Sequence, residues 1–139
     1  MPLVHRYLTT AAVLLLAGTA ACSRASSTEP KFGEAVDVRI GNSVRFPNDT
    51  TTVQFSDVSV DSRCPQGALC VWEGDAAVVF TVGGASASAL HTAAVSGPTT
   101  MIVNGKRLTL VSLAPLQKVG QTISKGDYVA TIRFDEAKD

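Results

Sequence analysis

The sequence predicts an all-β fold: a single antiparallel β-sandwich of about seven to nine strands, with a small barrel as the alternative. Three observations carry this. Apolar and polar residues alternate with a period of two in several separate segments, the mark of half-buried strands. Gly, Pro and Asn clusters interrupt those segments at short intervals. No stretch combines helical periodicity with capping residues.

The elements follow in order. Val36, Val38 and Ile40 alternate with Asp37 and Arg39, and Gly41-Asn42 ends the run. Val44-Arg45-Phe46 leads into the turn cluster Pro47-Asn48-Asp49. Thr52 to Val60 forms a strand with Val53 and Phe55 inward, then Val58 and Val60 inward. That change of phase at Ser56-Asp57 requires an extra residue, a β-bulge. Ala76, Val78, Phe80 and Val82 share one face of the next strand, with Val79 on the other, so both faces are partly covered. Gly83-Gly84 closes it, and Ala85 to Ala93 is a weaker strand of alternating small residues. Ser96-Gly97-Pro98 breaks the chain. Asn104-Gly105 between Met101–Val103 and Arg107–Leu113 is a type I′ hairpin signal, because both central positions need positive φ. Tyr128, Ala130, Ile132 and Phe134 close the domain in strict alternation.

Two pairs of segments match. Val53–Val58 has the apolar pattern of Leu108–Leu113, phase slip included, and Gly74-Asp75 with its following strand resembles Gly126-Asp127 with its own. The offsets, 55 and 52 residues, nearly agree, as a duplicated half-domain would require. Chance similarity between turns of an all-β chain is the alternative.

The chain has 139 residues with 12 Lys+Arg and 12 Asp+Glu. Neutrality without a basic stripe argues against nucleic acid as a partner. His5 and Arg6 precede an apolar run from Leu8 to Ala21, too short for a spanning helix, which needs about 20 apolar residues, but suited to a signal peptide. Ala20-Ala21-Cys22 makes this start resemble a bacterial lipoprotein signal, although Thr19 stands where such signals usually carry Leu. The resemblance implies removal of residues 1–21 and lipid on Cys22. It also implies anchoring at the cell envelope, in the outer membrane of a diderm cell given Ser23 rather than Asp after the cysteine. Ordinary secretion or a periplasmic location is the alternative. Residues 22–33 are small and polar in their first part and are expected to be a flexible tether. A β-domain over 34–136 and a tail over 137–139 complete the organisation.

With Cys22 assigned to lipid, Cys64 and Cys70 remain. Disulfides persist in exported proteins, so a Cys64–Cys70 bridge is expected. A loop this short gives only about 2 kcal/mol in the chain-entropy picture. The spacing does not fit a Cys-x-x-Cys redox motif, and half of a metal site is a weaker reading because no second ligand pair is in view.

The densest segment is Asp61-Ser62-Arg63-Cys64-Pro65-Gln66-Gly67-Ala68-Leu69-Cys70-Val71-Trp72-Glu73-Gly74. It resembles a signature of small exported bacterial proteins, often lipoproteins, whose function is not known. The resemblance implies an exported β-domain with a bridged loop and no particular activity. As architecture, Pro65 and Gly67 permit a tight loop, the Trp72 ring is expected to pack on the bridge and cap the core, and Arg63 pairs with Asp61 or Glu73. As a recognition element, the same rigid loop presents Arg63, Gln66, Trp72 and Glu73 as a binding surface.

His91 is the only histidine after His5, so a Ser–His–Asp or Cys–His arrangement must use it. No motif surrounds it, and an ordinary strand histidine is the expectation. The acid pairs Glu73/Asp75 and Asp57/Asp61 lack a calcium-loop pattern and are expected to be turn acids. Asn48-Asp49-Thr50 is treated as a turn rather than a glycosylation site. The resulting expectation is a membrane-tethered, non-enzymatic binding or structural module without cofactor, metal or catalytic residue. Its partners would be the membrane, through Cys22, and an envelope protein or glycan. A protein inhibitor or small-ligand binder using loop 64–70 is the alternative, and a hydrolase or metal-dependent enzyme comes third.

Overall fold

A computed structural model describes residues 29–138. Cys22, the signal segment and most of the tether lie outside the described residues. Among the described residues there is no helix long and apolar enough to cross a membrane.

Eight strands form two four-stranded antiparallel sheets: β1 (Ala35–Arg39), β2 (Ser43–Arg45), β3 (Thr52–Asp61), β4 (Ala76–Val82), β5 (Ser86–His91), β6 (Thr100–Val103), β7 (Lys106–Ala114) and β8 (Val129–Glu136). One sheet has the order β1-β8-β7-β6 and the other β2-β3-β4-β5. The sheets stay open at their edges, so the fold is a sandwich rather than a barrel. The chain changes sheet between β1 and β2 and again between β5 and β6.

The turns follow their residue chemistry. Asn104 and Gly105 have φ of 51° and 71°, as a type I′ turn requires, and join Val103 to its partner Lys106. In β3 the pairing skips Ser56, so the bulge falls where the change of phase demands it. A second irregularity follows between Val58 and Val60. It turns Val60 outward, 56% exposed, contrary to the inward position that simple alternation predicts.

The core lies between the sheets. Phe46, Phe55, Phe80, Leu90, Leu108, Ile132 and Phe134 are fully buried. Phe46 meets Phe134 with ring centroids 4.7 Å apart, and Phe55 meets Phe80 at 5.7 Å, each pair tilted. Burying one such side chain stabilises the fold by about 1.5–3 kcal/mol.

The matched strand segments are alike in structure, whereas the two Gly-Asp pairs are not, since Gly74 has φ of 72° and Gly126 lies in the short 3-10 turn Lys125–Asp127. β7 carries its own bulge, with Val111 skipped between Leu110 and Ser112, at the position equivalent to Ser56 in β3. The connections β3–β4 (residues 62–75) and β7–β8 (residues 115–128) are equal in length and leave the sandwich at the same end. The chain enters at the other end, where the Gly33 amide donates to the Phe134 carbonyl. Between the two ends runs the length of β3, ten residues, about 33 Å.

Candidate functional site

The loop between β3 and β4 begins as a continuation of their ladder. The Ser62 amide donates to the Asp75 carbonyl and the Cys64 amide to the Glu73 carbonyl, both at 2.7 Å. Gly74 makes this approach feasible. Its φ is +72°, and a Cβ there would lie 2.0 Å from the Ser62 carbonyl oxygen, so no side chain fits. Beyond this base, Cys64 and Cys70 are bonded as a disulfide. Inside the bridge the Ala68 amide returns to the Pro65 carbonyl at 3.0 Å, with Gly67 at φ +89° where a type II turn needs it.

The equivalent connection from the other half buttresses this loop. The Gln66 amide donates to the Gln117 carbonyl at 2.8 Å, and Gln66 pairs with Lys118 as an isolated parallel bridge. Arg63 ties the two connections together. Its guanidinium binds both Asp61 carboxylate oxygens, at 2.8 and 2.7 Å, and donates to the carbonyls of Leu113 and Pro115. Tyr128 donates its hydroxyl to the same carboxylate at 2.9 Å, and the Gln117 amide group caps the Asp61 carbonyl.

This network has a clear electrostatic sign. Burial pushes the Asp61 carboxyl up, but the hydrogen bonds from Arg63 and Tyr128 outweigh it and hold it below the ordinary value. Burial and the neighbouring Asp61 charge raise the Tyr128 phenol.

Arg63 therefore does not belong to a binding surface. Its side chain is 11% exposed with every polar end engaged by the protein, because the Asp61 carboxylate and two strand-end carbonyls satisfy it more fully than water at the loop surface would. Of its two expected partners, Asp61 and Glu73, it takes Asp61. The Trp72 expectation as a core cap is also corrected. Its ring is 81% exposed, because the core at this end is already closed by Tyr128, Leu113 and Ala76, all buried. Gln66, Trp72 and Glu73 are exposed and remain on the loop surface.

Sequence reasoning passed over the larger part of this surface. Leu69 and Val71 flank Cys70 and are almost wholly exposed, and Leu116 and Val119 of the buttressing connection are 58% and 62% exposed. Gly67 lies against Val119. One end of the sandwich thus presents Leu69, Val71 and Trp72 on a stapled loop, beside Leu116 and Val119. The available signal was a Leu, Val and Trp run inside a segment bounded by turn residues, where burial by alternation is unavailable.

His91 is not an isolated strand histidine. Its Nδ1 lies 2.6 Å from Asp75 Oδ2. The other oxygen, Oδ1, accepts from the Ala93 amide at 2.9 Å and the Thr92 hydroxyl at 3.2 Å. Burial pushes Asp75 up and these donors pull it down further, leaving it below the ordinary value. Gly97 sits so close to the imidazole that a Cβ there would lie 2.3 Å from the ring. The cluster pins the start of the β5–β6 connection to β4. Its signal was Asp75 just before β4 and His91 at the end of β5, which the β4–β5 register brings side by side.

The remaining acids are separated. Asp57 pairs with Lys125 at 2.8 Å, and Glu73 is exposed. Among the described residues, no three His, Cys, Asp or Glu side chains come together as metal ligands. No protein-family model matches this chain, and comparison with the curated proteins and with the solved structures returns no match.

Proposed function

We propose that this protein is a lipid-anchored protein of the bacterial cell envelope that acts as a non-enzymatic binding module. Its contact surface is the stapled loop, through Leu69, Val71 and Trp72 with Gln66 and Glu73 at the rim, and its ligand is an envelope protein or glycan. The observation that carries the reading is the exposure of Trp72, at 81%, beside Leu69 and Val71 on a loop fixed by a disulfide and a second connection. Exposed apolar side chains cost solubility, and a group of them on a rigid support marks an interaction site. Tryptophan is also the residue most enriched where binding energy concentrates. The chain enters at the opposite end of the sandwich, so a tether to Cys22 joins the domain at the end away from the loop. Pre-organisation lowers the ordering cost of association.

The first test is the intact mass of the protein taken from native membranes. A chain beginning at Cys22 with acyl groups is the expected result, and an unmodified Cys22 overturns the anchor. The second is Trp72→Ala in a crosslinking experiment on native envelope. Loss of the wild-type adduct, with the fold retained, supports the loop as the contact, and an unchanged adduct places the contact elsewhere. The exposure of Leu69, Val71 and Trp72 on a disulfide-stapled loop also favours a second reading, an inhibitor that inserts the loop into a partner's cleft. For that reading, Cys64→Ser with Cys70→Ser abolishes capture while the domain stays folded.

A further inference from the structure

β5 is an open edge. In its pairing with β4, Leu90 and Ser88 face Val78 and Phe80, and the amide of His91 turns away from β4 to donate to the Pro98 carbonyl at 2.8 Å. In an antiparallel ladder, alternate residues direct their backbone groups to opposite sides. Ala87 and Ala89 have the parity of His91, so their amides and carbonyls point outward, and among the described residues none is engaged. Both alanines are exposed.

Natural edges are normally guarded by charge, proline or shortness, and the other three edges here follow that rule. β1 carries Asp37 and Arg39. β2 is three residues long and ends in Arg45. β6 has four residues and lies against Lys106 and Arg107 of β7. β5 has six residues, its neighbour β4 is uncharged, and from Ala76 to Gly105 there is no Asp, Glu, Lys or Arg.

We propose that β5 pairs with β5 of a second copy of this chain, antiparallel about a two-fold axis at Ser88. The charge pattern favours this occupant. A strand without charged residues meets no like charge when it pairs with its own copy, whatever the register, and like charges facing each other in a strand pair are destabilising. Of the four edges, β5 alone combines length with freedom from charge. The register follows from the outward groups. With Ser88 opposite Ser88 of the second copy, Ala87 exchanges two backbone hydrogen bonds with Ala89 of the other chain, and the symmetry doubles them. The result is one continuous sheet in the order β2-β3-β4-β5-β5-β4-β3-β2. A single strand pair is a small contact, so the dimer is weak and concentration-dependent. Antiparallel pairing sends the two Trp72 loops to opposite ends, leaving both free. If the chains are anchored at Cys22, residues 22–34 reach about 45 Å at full stretch. That exceeds the sandwich length, so both copies remain within reach of one membrane.

Sedimentation equilibrium of the purified protein from micromolar to millimolar concentration tests the proposal, with far-UV circular dichroism to verify folding. The wild-type chain is expected to shift from one copy towards two. Ala89→Pro removes an outward amide and no ladder bond to β4, a substitution an edge strand tolerates, and it is expected to remain monomeric. Ala87→Lys with Ala89→Lys places lysines opposite lysines across the axis and is expected to remain monomeric even if the proline variant fails to fold. Trp72→Ala is expected to dimerise as wild type does, which separates edge pairing from association through the loop. A wild-type chain that stays monomeric at millimolar concentration overturns self-pairing and leaves the edge to a strand from a different protein. A dimer that survives the double-lysine variant overturns the proposal as well.

Discussion

The Arg63 guanidinium lies against both oxygens of the Asp61 carboxylate, at 2.8 and 2.7 Å, two residues away in sequence and at the junction of two long connections. Because the same guanidinium also reaches the carbonyls of Leu113 and Pro115, it holds the end of β3 to the end of β7. Removing it leaves a partly buried carboxylate with only the Tyr128 hydroxyl and the residue 63 amide as donors, and takes the guanidinium from two carbonyls. Arg63→Ala is therefore expected to cost about 3 kcal/mol, the scale for breaking a buried pair from one side. Urea unfolding followed by far-UV circular dichroism reads this, and a loss below 1 kcal/mol would mean that water replaces the arginine without penalty.

The acid limb of stability follows from the same carboxylates. Despite burial, Asp61 and Asp75 are both held below the ordinary carboxylate value in the fold, by hydrogen bonds from Arg63 and Tyr128 in one case and from His91, Ala93 and Thr92 in the other. A group with a depressed native pKa stabilises the protein at pH above its unfolded value, and that contribution fades as pH falls through the native value. Stability is therefore expected to decline below about pH 4, with a shallower decline in Asp61→Asn. Tyr128 works in the opposite direction. Its phenol is raised above 10.0, so its contribution is complete below pH 10 and lost as pH rises further. In a protein prepared without residues 1–21, which include Tyr7, the tyrosinate absorbance reports Tyr128 alone, and a midpoint at or below 10 contradicts the contact with Asp61.

Gly74→Ala tests the base of the loop. The new Cβ meets the Ser62 carbonyl at 2.0 Å with φ at +72°, so backbone must move. The expected cost is about 2 kcal/mol or more, from left-handed strain and the displaced Ser62–Asp75 pairing. A thermal melt within a degree of wild type would show that the loop base yields freely.

The bridge contributes locally. Cys64→Ser with Cys70→Ser is expected to lose about 2 kcal/mol and to leave the strand signal unchanged, since neither cysteine touches the phenylalanine core. Amide exchange is expected to quicken between residues 64 and 73 and to stay slow in β4 and β8. Loss of the whole fold would instead assign the bridge a global role.

The sheets were legible in the sequence because two-residue periodicity reports burial on one face directly. Tyr128 to Phe134 alternates without a fault, and every expected inward residue is buried. The bulge at Ser56 was legible for the same reason, since a phase change leaves no other arrangement. Val60 was misread because a second irregularity follows the first, and alternation carries no information past a break. The candidate site was legible as a segment and misread in detail. Arg63 is spaced like a surface arginine, and only the approach of the β7 end, some 50 residues on in the chain, supplies the carbonyls that bury it. Trp72 was assigned to the core by its chemistry, whereas its position was decided by Tyr128 having already filled that end. Asp75 and His91 meet through the β4–β5 register, which a strand pattern alone does not provide.

The exposure of Trp72 has a practical consequence. It is the only tryptophan in the chain, and it stands at one pole of the molecule, whereas the interior is built around phenylalanines. Tryptophan emission is therefore nearly blind to the core. A fluorescence titration will register whatever touches the stapled loop, but a denaturation curve taken at the same wavelength will follow the loosening of that pole and can end before the sandwich opens.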